Sequence, residues 1–523
     1  MKMNMSRRKF LGTSTLATMV ASAPVINAGF FSSPAYAGSD KKITFLSAEN
    51  LTGNWDPSSH TTLGQINLES FVFGYLTRAP MTPDNPDEIV FELAEEMNLL
   101  DEHTLEFKLR KGVSFHNGAP FTAADVKATF EYASGPDRPA AWYPGQCTVE
   151  VIDDHTAHVK TEEFGYPASL FWFLSAFLPI MSAADVADPT TLASRPNGTG
   201  AFKFVEQAGN TTVLEANTDF LGGAPKVPGL DFTFVGDATT RMLSLLSGEA
   251  DIIERLEGEQ VETIKSKEGF TLNEAVSVEN KYLWFRCSKA PFDNPILRKA
   301  VAHAIDRDLI LEVLGVSGTP SNAWVSPVKF GYVDTPNYPE YSPEKCQALL
   351  AEAGFPGGKG LPTLEYITSV GFYPKTKEYG EVITAMLQEQ GFDIEFSAME
   401  IAAWADNLYD RPGGGPGHMI DCGWATGSPE PDLVLRTHFH SSSKRICGIV
   451  DAELDAVLDK ERGTLDPVER KAVIQNEVMP MLADKVPSLS LFTSVFIHAM
   501  RHELKGVYIY PNGMMDASDA TNA

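Results

Sequence analysis

The stretch Gly423-Trp424-Ala425-Thr426-Gly427-Ser428-Pro429-Glu430-Pro431-Asp432 combines one indole, several small turn formers and two acids. Two chemistries suit it. Paired carboxylates can cleave a glycosidic bond as acid and base, and Asp421 and Glu430 are the acids a secreted hydrolase would draw on here. The other chemistry is capture. Trp424 offers a flat apolar face and one N–H donor, and Ala425, Thr426 and Gly427 offer backbone groups to a ligand. Arg286 in YLWFRCSKAPF suits a carboxylate or phosphate, which a guanidinium grips through two parallel hydrogen bonds. Trp55, Trp142, Trp284 and Trp404 are further flat surfaces for sugar rings or apolar side chains. His438 and His440 in THFHS would share one face of a strand. No third His, Cys or carboxylate stands at a telling distance, so no metal site is expected. The five cysteines, at 147, 287, 346, 422 and 447, are odd in number and never form C-x-x-C, which argues against a zinc site or a disulfide framework. G-x-S-x-G, H-E-x-x-H, the phosphate loop and the dinucleotide fingerprint are all missing, so no cofactor is expected.

The elements that must position these residues read as short strands alternating with short helices, a mixed α/β pattern. In YSPEKCQALLAEAGFP, Ser342 caps a helix, Pro343 takes its first position and Gly354 ends it. Cys346, Leu349, Leu350 and Ala353 line one face, which places Cys346 in a core. Thr122 caps the helix of PFTAADVKATFEYA, with Asp125 three residues on. One helix is expected through DNPILRKAVAHAIDRDLILEVL, burying Ile296, Ala300, Val301, Ala304 and Ile305. Strands are expected at HTLEFKLR, TAHVKT, GAFKFVE, LDFTFVG, NKYLWFRC, LEYITS, FDIEFSAME and HMIDCGWA.

With 523 residues, 43% hydrophobic and 21% charged, the chain has the composition of a folded protein of two or more domains. Residues 1–37 read differently. Arg7-Arg8 precede a moderately apolar run and Ala35-Tyr36-Ala37 offers a cleavage site, the pattern of a twin-arginine export signal. Pro24 and Asn27 interrupt the run, which argues against a permanent membrane helix. The full chain carries a formal charge of −27, and the leader holds four bases and no acid, so the mature chain is more acidic still. That charge argues against nucleic acid and anionic membranes as partners.

Six blocks, taken in order, resemble the family 5 extracellular solute-binding proteins of ABC importers, the dipeptide, oligopeptide and nickel-binding type. They are FELAEEMNLLDEHTLEFKLRKGVSFHNGAPFTAADVKATFEYA, PNGTGAFKFVE, GDATTRMLSLLSGEADIIE, YLWFRCSKAPFDNPILRKAVAHAIDRDLI, YSPEKCQALLAEAGFP and GWATGSPEPD, spread over residues 40 to 510. The resemblance implies a two-lobed α/β periplasmic binding protein of type II-like form, hinged on two crossing segments. Residues 38–280 would form lobe 1, with an inserted subdomain at 83–198. Residues 281–490 would form lobe 2, and 491–523 would return to lobe 1. The implied activity is non-catalytic capture of a peptide, a peptide-like or an anionic solute, handed to a permease and its ATPase subunits. The same fold would suit sugars, opine-like conjugates or sugar phosphates, or presentation of a bound solute to a chemosensory receptor. A periplasmic monomer without cofactor is the expected state.

The resemblance also sorts the candidates. It places Trp424 to Gly427, Trp404, and Asn54 with Trp55 beside the cleft. Peptide-binding relatives carry an Asp for the ligand's α-amine at the position that falls on Gly427, and usually an Asn where Arg286 stands. Those two departures point toward ligands with an anionic group and no free α-amine. Lys375 and Lys377 fall in a region that often contributes to the pocket. His116 matches a position that shapes the fold.

Overall fold

The computed structural model describes residues 41–49, 53–59, 63–135, 147–165, 167–256, 258–370, 372–408, 415–443 and 445–522. The expected export signal, residues 1–37, and Trp142 lie outside the described residues. Among the described residues, no helix is long and apolar enough to cross a membrane, and all five cysteines are free.

One large mixed sheet organises the molecule. Its spatial order runs Ile394–Met399, Leu364–Ser369, Met419–Trp424, Phe270–Phe285, Ser488–Arg501, Ile252–Glu254, Ile43–Ser47, Gly229–Phe234, Thr211–Ala216 and Phe202–Ala208. Two of these strands are long, antiparallel to each other and shared by both lobes. Residues 270–276 pair with 495–501 inside lobe 1, whereas 280–285 pair with both 419–424 and 488–493 inside lobe 2. The register slips between Val276 and Asn280, so a bulge separates the two sets of pairings. Bulges bend a strand and raise its local twist, which suits a junction between two differently oriented halves.

A second, four-stranded antiparallel sheet of residues 94–160 lies within the 83–198 stretch. Helix Ala123–Ala133 packs on it, with Phe130 edge-on to Phe107 at 6.2 Å. Its start is the expected capping box: Thr122 N–H donates to Asp125 Oδ2 at 2.8 Å, and Ala124 N–H donates to Thr122 Oγ1. The PNGTGAF block has a steric cause. A Cβ on Gly198 would stand 2.0 Å from the Val72 carbonyl oxygen, and one on Gly200 would stand 2.6 Å from that of Phe71. Only glycine lets those backbones meet. His116 joins the same corner, its Nε2 3.0 Å from the Gly200 carbonyl, and burial lowers its pKa to about 4.

The single helix expected after Asn294 is two helices, Pro295–Ala304 and Arg307–Leu314. Asp306 takes extended backbone angles and accepts the Asp308 N–H, starting a new helix where the apolar stripe continues.

Candidate functional site

Strand direction locates the site before any side chain does. In lobe 2, Leu364–Ser369 runs parallel to Ile394–Met399 and to Met419–Trp424. Their carboxyl ends deliver Val370 to Tyr373, Ile401 to Trp404 and the 425–431 loop. In lobe 1, Ile43–Ser47 runs parallel to Gly229–Phe234 and Ile252–Glu254, whose ends deliver Ala48, Glu49 and Arg255. Both sets approach the same stretch of the crossing strands. Trp424 pairs with Asn280, and Glu254 pairs with His498 at the end of a strand that runs along 498–500 in the direction of Thr493. Ligands of open α/β sheets lie outside the carboxyl ends of their strands, so the candidate cleft is this junction.

The 425–431 loop is held from beneath by a buried cation. Lys329 Nζ donates to the Thr426 carbonyl at 2.7 Å, to Thr426 Oγ1 and to the Ser428 carbonyl. Burial lowers the Lys329 pKa to about 7, against the pull of Glu430. Replacing Lys329 by methionine strands two buried carbonyls, at about 1–3 kcal/mol each. The expected result is a lower urea midpoint together with weaker solute affinity.

The loop's two acids are structural. Glu430 and Asp432 are buried, paired to Arg470 and Arg462 respectively. Asp421 is buried too, with Lys281 Nζ 3.2 Å from its Oδ1. The carboxylates that a hydrolase reading would use are thus spent on internal cations.

The loop tip reaches the other half of the molecule. Asn512 Nδ2 donates to the Gly427 carbonyl at 2.8 Å, and Phe177, from the insert, fills the space where a Cβ on Gly427 would be. Phe330 meets Phe173 at 5.1 Å, and Lys471 reaches Asp87 at 2.8 Å. These contacts draw the lobes together beside the junction.

Two lobes, two shared strands and convergent carboxyl ends match what the comparisons find. The family model for bacterial extracellular solute-binding proteins, family 5, fits residues 88–445. This chain belongs to that family. The family 5 proteins are solute-binding components of ABC importers. Among the relatives, Glutathione-binding protein GsiB of Pectobacterium atrosepticum is 26% identical over 99% of each chain. Heme-binding protein A of Haemophilus influenzae is 29% identical over 80% of this chain and 82% of its own. The solved structure of the ABC transporter substrate-binding protein CtaP of Listeria monocytogenes superposes with a TM-score of 0.81 at 18% identity, covering 92% of this chain and all of that one. At that identity the likeness is one of fold.

Within this family 5 framework the sequence-predicted residues separate. Trp424, Ala425, Thr426 and Gly427 come together at the junction. Trp424 is half-buried, with the Arg445 guanidinium 4.0 Å above its ring and His438 edge-on at 4.6 Å. Trp404 stands behind Phe372 and Tyr373, ring centres 5.6 and 6.1 Å away, and its Nε1 donates to the Asp421 carbonyl. Arg286 is a correction. Its side chain is fully buried and donates to the carbonyls of Asn407, Pro416 and Gly417, because a buried guanidinium needs several acceptors and a chain turn supplies them. Trp55 is another: it is buried in lobe 1, edge-on to Phe204 at 5.3 Å. Asn54 Oδ1 accepts the Asp56 N–H, closing a local turn. Lys375 donates to the Val313 carbonyl, and Lys377 lies on the surface near Glu381.

His438 and His440 sit at the end of helix Asp432–Phe439, not on a strand. His438 is buried, stacked on Trp284 at 4.5 Å, and donates from Nδ1 to the Val434 carbonyl. Burial, reinforced by Arg445, lowers its pKa to about 3. An unfolded imidazole protonates near 6.5, so unfolding takes up a proton between those values. Stability should fall as pH drops from about 6.5 toward 3, and a His438→Phe variant should show a flatter urea midpoint across that window.

Sequence reasoning missed Lys329, Tyr373, Lys281 and Glu279. Lys329 lies far in sequence from the loop it holds. The last two carried a usable signal, since alternate charged residues in SVENKYLWF break the apolar run of a central strand.

Proposed function

We propose that this protein is the exported, periplasmic capture subunit of an ABC importer, closing its lobes over a peptide or peptide-like solute. It would then pass that solute, unchanged, to a permease driven by ATPase subunits. The observation that carries this reading is the convergence of both sets of strand carboxyl ends on one bulged hinge, with lobe-to-lobe contacts beside it. Relatives named for glutathione binding over their full length support a peptide-like solute. With Arg286 turned inward, the main sequence argument for an anionic ligand is withdrawn. Residues 1–37 act as a twin-arginine leader in this reading, and the mature chain works as a monomer without catalysis. Capture at micromolar strength needs about −8 kcal/mol, within reach of a cleft walled by Trp424, Tyr373 and Phe372.

Mass spectrometry of the small molecule that co-purifies from periplasm is the test. A peptide-like solute that returns intact, raises the melting temperature and compacts the protein in solution scattering is the expected result. A haem, a sugar, or a solute returned chemically altered would overturn the reading.

A further inference from the structure

One carboxylate at the hinge has no cation within ion-pair distance among the described residues. Glu279 lies in the bulge of the Phe270–Phe285 strand, half-buried, where the register slips. Its backbone N–H donates to Ser277 Oγ at 3.1 Å, and its Oε1 accepts from Ser494 Oγ at 2.7 Å. Both crossing strands therefore fix it. The cations around it are committed elsewhere. Lys281, two residues on and on the same face, pairs with Asp421 and lies 3.0 Å over the Tyr373 ring. Arg255, at the carboxyl end of the lobe 1 strand, pairs with Glu49 and acts on Glu279 only through its charge, from beyond ion-pair distance. Among the described residues no basic nitrogen stands within ion-pair distance of Glu279. Its other neighbour on that face is a glycine: a Cβ on Gly423 would stand 3.0 Å from Glu279 Cδ and 3.1 Å from Oε2.

We infer that Glu279 is the receptor for an ammonium group of the captured solute, an inference that rests on the capture reading above. A half-buried carboxylate pays for its desolvation only when a cation or several donors meet it. Here one oxygen is held by Ser494 while Oε2 has no partner among the described residues. A metal ion is a poor fit, because no three metal-ligating side chains gather among the described residues. A primary ammonium needs one strong acceptor and can complete its shell with hydroxyl and backbone oxygens. The assignment also accounts for Gly427. The resemblance read from the sequence implies an amine-binding carboxylate at that position; glycine stands there, and Phe177 fills the space a side chain would take. The amine-binding charge has moved from the loop to the hinge, where lobe closure would bury the ion pair.

Native mass spectrometry of the mature chain decides this. The probe is an equimolar mixture of di- and tripeptides, glutathione included, each with a free and an N-acetylated amino terminus. Wild-type protein should retain the free-amine forms at least tenfold over their acetylated partners. Glu279→Gln, which keeps the side-chain shape, should lose that preference at an unchanged melting temperature. Equal retention of both forms by wild type, or an undiminished preference in Glu279→Gln, overturns the role of Glu279 and leaves peptide capture standing. Retention of neither form overturns peptide capture and this inference with it. The free-versus-acetylated comparison needs no variant, so it holds even where Glu279→Gln fails to fold.

Discussion

Replacing Arg470 by leucine should cost about 3–5 kcal/mol of stability, the usual result of removing one partner from a buried ion cluster. The guanidinium is buried among carboxylates. It donates to Glu430 at 2.9 and 2.5 Å and to Glu461 at 2.8 and 2.5 Å. Glu430 in turn accepts the Asp432 N–H at 2.9 Å, so the cluster fastens the far end of the 425–431 loop to the helices behind it. The loss should therefore appear in solute affinity as well as in the urea midpoint. Its pH dependence has a definite sign. Burial, aided by the charges of Asp432 and Glu430, raises the Glu461 pKa to about 8 even with Arg470 opposing. An unfolded glutamate titrates near 4.3, so the native state holds an extra proton between those values. That contribution is complete below about pH 4.3 and is lost as pH rises through 8. Without Arg470 the unprotonated form is costlier still. The variant's deficit should be largest at pH 8 and above and should shrink as the solution is acidified. An equal deficit at pH 5 and pH 9 would mean that charge is not what the arginine supplies.

The parts of this molecule legible in sequence are those fixed by local rules. Thr122, Ser342 and Asn294 cap helices because an Ncap oxygen needs only the next two or three backbone N–H groups. LEYITS and HMIDCGWA form strands because short runs rich in β-branched and aromatic residues, bounded by turn formers, fit a half-covered sheet. The strand SLSLFTSVFIHAMR was not legible. It is buried on most of its length and shared between lobes, so it shows a nearly continuous apolar run, the pattern that periodicity cannot tell from a buried helix. The site was legible only in part, for a related reason. Residue type says what Arg286, Trp55 and Glu430 can do, whereas tertiary packing decides whether they face a ligand or the interior. Arg286 found carbonyls and Glu430 found Arg470. The charges in SVENKYLWF mark Glu279 as unusual for a central strand, but its position comes from a register slip between two pairings, which that local pattern does not encode.

Gly427→Asp should weaken solute binding by tenfold or more, even though it supplies the residue type that the resemblance read from the sequence implies at this point. The new side chain has nowhere to go while the lobes touch. A Cβ on residue 427 would stand 1.9 Å from Phe177 Cε2 and 2.3 Å from Cζ, and Phe177 belongs to the opposite lobe. Overpacking of this kind costs about 1–3 kcal/mol, and leaving a carboxylate against a phenyl ring adds its desolvation. Both penalties fall on the closed arrangement and spare the separated lobes. The population able to hold solute drops, and apparent affinity drops with it. Scattering should show a larger radius of gyration at saturating solute, while the urea midpoint of the solute-free protein stays near wild type. Removing the obstruction tests the cause. Phe177→Ala in the same chain should return most of the lost affinity, because the two positions interact through direct contact and their effects will not add. Were the double variant as weak as Gly427→Asp alone, the added charge would be responsible and the glycine would not be there to make room for the ring.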